Sequence, residues 1–341
     1  MQKKLLYDVL LIRIILIFLL IIYHSFAIYN GGWKPLDNFP KIELYTWIAD
    51  ISYSFMLEMF VFISGLILGF QVLYKSSEFI KKSSFLKKKA HRLLIPSILF
   101  STLYVLIIDD EINWFSIYKI LNGHAHMWFL PMLFLCFCYI YIINKLNLAG
   151  KWLTILIFLM ALQPLPRLPF QTYISFYYFF FFYLGFLIGN RKFCIEKYIN
   201  WRSVTILFML YIISLYTLHI LKYDVVIEKS SINKLIIIYL KRINIILCSI
   251  CGIFTLYISL KILTIRSNFT LHEIFIKISG YCFGVYLLQQ FILKLLYDDH
   301  YYVSFLGPYL LPIVSFFVTL VISVLIVMLM LKTKVGRCLI A

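Results

Sequence analysis

Charge is what this chain has least of. Of its 341 residues only 14% are charged against 63% hydrophobic, and the mean hydropathy is +0.92, values that exclude a soluble globular domain. Acidic residues are scarcer still, 15 against 32 lysines and arginines, for a formal net charge of +17. Long polar stretches are missing as well. The longest connections between apolar runs lie around residues 30–50 and 222–242, so a single membrane-embedded domain over residues 1–341 is expected, with no appended soluble domain and no internal repeat. The seven cysteines are scattered, and the segments expected outside are nearly free of them, so no disulfide framework is implied. The one CxxC, residues 248–251, sits in an apolar run with no second Cys or His pair at ligand spacing, so no metal is expected there. The first apolar run lacks a small-residue cleavage site after it and is expected to be retained.

What is present is a series of apolar runs of about 20 residues, the length that crosses a bilayer. They fall near residues 9–29, 51–73, 92–108, 127–144, 152–166, 171–189, 203–221, 243–262, 276–297 and 308–331, the fifth being short and interrupted by Pro164 and Pro166. The fold class is therefore all-α, a polytopic integral membrane protein of about ten transmembrane helices. With both the amino and carboxyl termini cytoplasmic, 21 of the 32 basic residues lie in cytoplasmic segments, the bias that orientation in a membrane requires. Most of the positive charge is thereby explained by lipid headgroups and topology, and nucleic acid is excluded as a partner. The segment KKSSFLKKKAHR, residues 81–92, is denser in charge than orientation needs.

Ionisable groups inside the runs are costly in lipid and point to function. Arg13 and His24 lie eleven residues apart in the first run, which on a helix is about 16 Å along one face. Snorkelling of Arg13 to the headgroups and an interfacial His24 form the competing reading. Glu58 lies about eight residues below the outer end of the second run, within about one turn of the depth of His24; it is either the partner that orients a histidine base or half of a structural ion pair. The stretch NGHAHMWFLPML brings His126 and Trp128 to the outer level, where Trp128 is a sugar platform or an aromatic-belt anchor. Lys89 and Arg92 are one turn apart at the inner mouth of the third run, with Pro96 a turn beyond. Positive side chains so spaced suit a ligand with several phosphates or simply a solvated inner face.

Taken together these motifs resemble the membrane-bound acyltransferase-3 family, the O-acyltransferases of bacterial surface polysaccharides. The resemblance runs the length of the chain: R-x10-H is Arg13 and His24, and the acidic residue before an F-F-x-x-S-G type run is Glu58, followed by Phe60, Phe62, Ser64 and Gly65. R-x-x-R-[LI]-x-x-P corresponds to Lys89, Arg92 and Pro96; HMWFL, YLGFLIGNR and YCFGVYLLQQFIL supply three more matches in order. Two positions depart from the pattern. Lys89 replaces an arginine and loses the bidentate fork, and Gln289 replaces a histidine, so no acid/base role is expected at Gln289.

The resemblance implies transfer of an acyl group, most often acetyl from acetyl-CoA at the cytoplasmic side, to a hydroxyl of a lipid-linked or nascent surface glycan, in a bacterial plasma membrane. It implies His24 and Glu58 as catalytic, Arg13, Lys89 and Arg92 on the donor phosphates, and His126 and Trp128 on the acceptor. The acyl-CoA is a substrate; no permanently bound cofactor and no metal are expected, and the implied partners are the donor, the glycan, the bilayer and polysaccharide-assembly proteins. A polytopic flippase or transporter of a glycan intermediate is the alternative, and would need no basic inner site. The loop of residues 30–47, with Trp33, Asp37 and Trp47, is expected to read the acceptor or to anchor the interface.

Overall fold

In lipid, runs of this length can satisfy their backbone groups only as helices or closed barrels, and their continuous apolarity leaves the helix. The computed structural model describes residues 2–36, 39–75, 78–109, 113–148, 150–163, 171–223, 231–266 and 273–340, and among these there is no strand. The helices are α1 (Gln2–Asn30), α2 (Glu43–Tyr53), α3 (Met56–Lys75), α4 (Glu78–Lys81), α5 (Ser83–Tyr104), α6 (Trp114–Asn122), α7 (Phe129–Lys145), α8 (Lys151–Leu162), α9 (Thr172–Gly189), α10 (Trp201–Tyr223), α11 (Ser231–Arg266), α12 (Glu273–Asp298), α13 (His300–Met330) and α14 (Lys334–Ile340). Nine segments among the described residues are long and apolar enough to cross a membrane.

Two compact units share the chain. One comprises residues 1–56, 107–110 and 259–341, the other residues 57–106 and 111–258. In the first, α1 packs with α2, α12 and α13 around a core of Phe26, Ile28, Tyr29, Tyr45, Ala49, Leu293, Tyr297 and Leu311. Tyrosine hydroxyls tie these helices together by finding backbone carbonyls: Tyr45 donates to Tyr309 at 2.8 Å, Tyr29 to Pro308 and Tyr297 to Ser25. The Pro308 carbonyl is free to accept because the residue four positions on is Pro312, which has no N–H; α13 itself breaks at Gly307, whose φ of 62° and ψ of −176° is a conformation essentially reserved for glycine.

In the second unit α3 and α9 meet backbone to backbone. Gly65 and Gly69 face Gly185 and Gly189, and the contact is reciprocal: a methyl at Gly65 would lie 1.9 Å from the Phe182 carbonyl oxygen, and one at Gly185 2.1 Å from that of Phe62. Such small-residue pairs at four-residue spacing let helices approach where lipid offers no hydrophobic drive. The pairing also fixes direction. Residues 62–66 match 182–185 and residues 66–69 match 186–189, so α3 and α9 run parallel.

That parallel pair decides the fate of the fifth expected span. The structure holds there only the 12-residue α8, about 18 Å long and too short to cross alone. Its helix stops at Gln163, whose extended backbone is what the ring of the following Pro164 imposes. Yet α8 lies antiparallel to α9, with Phe158 against Phe180 at 5.4 Å and Thr154 hydrogen-bonded to Tyr183. α5 and α7 are antiparallel too, from Lys89 on Phe137 to Ser101 on His124. The chain leaving α7 must therefore return along α8 before α9 can start beside Glu58. Residues 164–166 of the expected fifth run lie outside the described residues.

Candidate functional site

Each unit holds a group of buried polar side chains that includes an ionisable residue singled out by the sequence. In the first, α1 carries Arg13, half-buried, and His24, 8% exposed. Both look toward α12, since Arg13 lies within electrostatic range of Cys282 and the Nδ1–H of His24 donates to the Gln289 side-chain oxygen at 3.0 Å. Gln289 is fully buried and its Nε2 has no partner among the described residues. A glutamine there gives the imidazole a neutral acceptor, and with the proton on Nδ1 the lone pair sits on Nε2.

Aromatic rings enclose this histidine. Trp33 stacks on it at 5.9 Å and 20°, Tyr23 lies at 5.1 Å, and Tyr297 meets Trp33 edge-on at 5.7 Å. The loop leading to Trp33 turns at Gly31, where φ is 80°, and Gly32 lies so close to the Tyr23 hydroxyl that a methyl there would come within 2.5 Å. Trp33 and Trp47 are half-buried, whereas Asp37 lies outside the described residues.

In the second unit Glu58, 6% exposed, accepts a hydrogen bond from the Tyr177 hydroxyl at 2.7 Å. The glycine contact of α3 and α9 explains the meeting: seven residues before Gly65 and eight before Gly185, in parallel helices, bring these side chains to one level. Over the Tyr177 ring, 4.1 Å from its centroid, lies the guanidinium of Arg242, whose Nε donates to the Ala161 carbonyl at 3.0 Å. Arg242 also interacts electrostatically with Glu58, and Ser249 hydrogen-bonds Tyr177.

Sequence reasoning missed both Tyr177 and Arg242. The tyrosine is hidden in the aromatic run TYISFYYFFFFY, which has no polar face to single it out. Arg242 was expected in an outer loop before a span starting at 243, but the apolar window of α11 starts at Ile236 and contains it. The signal was a basic residue only a turn and a half inside a 29-residue apolar window.

The outer stretch forms a 3-10 turn, Ala125–Trp128, entered through Gly123 at φ 79°. His126 is buried, and the Trp128 ring lies 5.9 Å from Tyr178, itself 5.0 Å from Tyr177. Trp128 thus reaches the Glu58 group through a chain of rings. On α5, Arg92 is exposed while Lys89 turns inward, its ammonium 4.1 Å from the Phe137 centroid and within electrostatic range of Arg92. Pro96, buried inside α5, does not end the helix. Among the described residues, no group of three or more His, Cys, Asp or Glu side chains converges as metal ligands would.

The sequence offers Glu58 as a partner for His24; in the structure His24 hydrogen-bonds Gln289, and Glu58 accepts from Tyr177. Arg13 shares a unit with His24, and Lys89, Arg92, His126 and Trp128 share one with Glu58.

No curated protein and no solved structure matches this chain. Its sequence does match the profile of an acyltransferase domain, Acyl_transf_3, over residues 6–332. A match over that share of the length, on an all-helical membrane fold, makes the chain an acyltransferase of the acyltransferase-3 family.

Proposed function

We propose that the protein is an O-acyltransferase of a bacterial plasma membrane. It takes an acyl group, most readily acetyl, from acyl-CoA at the cytoplasmic side and places it on a sugar hydroxyl of a lipid-linked or surface polysaccharide. The observation that carries this reading is the buried His24, its Nδ1 held by the neutral Gln289 and its ring enclosed by Trp33 and Tyr23. In the reaction His24 Nε2 takes the proton of the acceptor hydroxyl as that oxygen attacks the thioester carbonyl carbon. The carbon–sulfur bond then breaks, and the imidazolium returns the proton to the departing CoA thiolate. Gln289 keeps the ring in the tautomer that can act as a base, a positioning role.

Arg92, exposed, and Lys89, one turn before it, are assigned to the donor phosphates, for which positive side chains so spaced are suited; Arg13 is assigned to the donor on the family resemblance. Trp128 and His126 are assigned to the acceptor. The carboxylate of Glu58 has its own polar partners in the second unit, and its role is taken up below.

The test is the acyl content of the host's surface polysaccharide, read by NMR. A deletion strain is complemented with wild type, His24→Ala or Arg92→Ala at matched membrane expression. Acylation should vanish on deletion, return with wild type and fail with both variants. Unchanged acylation together with lost or shortened surface glycan would instead establish the glycan-transporter reading.

A further inference from the structure

Glu58, Tyr177 and Arg242 form a second constellation that proton transfer at His24 does not use, and it is unfinished as it stands. Glu58 Oε2 is buried without a hydrogen-bond partner among the described residues. The two terminal nitrogens of Arg242 make no hydrogen bond with any described residue, its Nε alone being satisfied by Ala161. A charged group left incomplete inside a spanning unit is costly, and sites of this kind are where membrane proteins take ligands.

We propose that Glu58, Tyr177 and Arg242, walled by the rings of Tyr178 and Trp128, bind a neutral sugar unit of the acceptor glycan. The open atoms are one strong acceptor and a planar fork of N–H donors. They complement adjacent hydroxyls, each of which both donates and accepts. Charge selects a neutral ligand: Glu58 already lies within electrostatic range of Arg242, so a carboxylate or phosphate would bring a second acidic group beside it into a medium that screens poorly. The rings select a cyclic one. Trp128, half-buried and 5.9 Å from Tyr178, which in turn lies 5.0 Å from Tyr177, offers an aromatic surface to the C–H face of a pyranose beside the groups that meet its hydroxyls. This inference rests on the glycan-acylation reading above.

Full-length protein in nanodiscs provides the test, by saturation-transfer difference NMR with methyl glycosides of a neutral hexose, an N-acetylhexosamine and a hexuronic acid, and with coenzyme A. A neutral glycoside should give the strongest signal on wild type. That signal should fall at least fivefold in Arg242→Gln and in Glu58→Gln, while the coenzyme A signal stays within twofold. The double variant Glu58→Gln/Arg242→Gln keeps the unit electrically balanced and should fold, as its melting curve would show, yet still lose the glycoside. Persistence of neutral-glycoside binding in the folded double variant overturns the proposal, as does a wild type that binds none of the neutral glycosides or binds the hexuronic acid best. Failure of the acyltransferase reading is separate: sugar binding would still depend on Arg242, but wild type would move no labelled acyl group from acyl-CoA to glycan.

Discussion

His24 in the first unit and Glu58 in the second are both ionisable side chains more than nine-tenths buried, but they sit in different company. His24 has a glutamine at 3.0 Å and aromatic rings around it; Glu58 has a phenol at 2.7 Å and an arginine whose charge opposes its own. The contrast follows from what each group can tolerate. An imidazole can stay neutral, so an amide suffices to hold it, whereas a buried carboxylate that keeps its charge needs a counter-charge nearby. A neutral histidine is ready to accept a proton, and a compensated carboxylate is ready to accept hydrogen bonds. Proton transfer is accordingly assigned to the first unit and recognition to the second.

The comparison breaks completely if the second unit loses its frame. Gly185→Leu puts a side chain where even a Cβ would lie 2.1 Å from a backbone oxygen, and backbone cannot yield as a flexible side chain can. The expected outcome is absence of a monodisperse, thermally cooperative protein after detergent extraction, with surface acylation at the level of the deletion strain. The matched control is Gly280→Leu, where a Cβ meets nothing within 4 Å, and that variant should extract normally.

Within an intact fold, His24→Asn should lower donor-dependent transfer by about 10²–10⁴-fold, the range of a lost general base, with an unchanged melting curve. Gln289 offers a finer cut through the same site. Replacing it with Leu removes the acceptor of the Nδ1–H, an interaction of about 1–3 kcal/mol in a buried setting, so turnover should fall about 10- to 100-fold. Gln289→Glu supplies the acceptor again, as a carboxylate, and makes the first unit resemble the second. It should recover most of the turnover lost in Gln289→Leu and change the shape of the pH–rate profile, because a second titrating group then faces the base. Equal losses in both variants would mean that Gln289 serves packing alone.

Much of this contrast was legible before any coordinates. Arg13, His24 and Glu58 announced themselves because ionisable residues in apolar runs are rare, and the spans followed from hydropathy alone. The partners were harder to find. Gln289 stands out in the sequence only as a departure from a motif, Tyr177 is one aromatic among many in its run, and Arg242 lies at the edge of its apolar run, where hydropathy does not separate loop from span. Hydropathy marks a costly group but carries no register between helices, and register is what pairs Glu58 with Tyr177. The four glycines did hold that register in the sequence, as Gly65-x-x-x-Gly69 and Gly185-x-x-x-Gly189. Read as two faces of one contact, they align α3 with α9 and carry Glu58 to Tyr177 with them.

The smallest expected effect concerns Lys89, on α5 of the second unit. Its ammonium lies 4.1 Å from the Phe137 centroid and 5.8 Å from that of Phe85, a cation–π arrangement that competes with reaching a phosphate. If the ring contacts are its main role, Lys89→Met, which keeps the apolar stem, should lower thermal stability and leave the donor KM alone. If it reaches the donor, the same variant should raise the acyl-CoA KM about three- to tenfold with kcat within twofold, since uniform binding is what it removes. The donor assignment expects the second result. Lys89→Arg then separates the two contributions, because a guanidinium stacks on the ring as well as an ammonium does and adds the fork that suits phosphate. It should lower the donor KM by about twofold at unchanged kcat, and a rise instead would place Lys89 with the aromatic packing of α5 against α7 rather than with the donor.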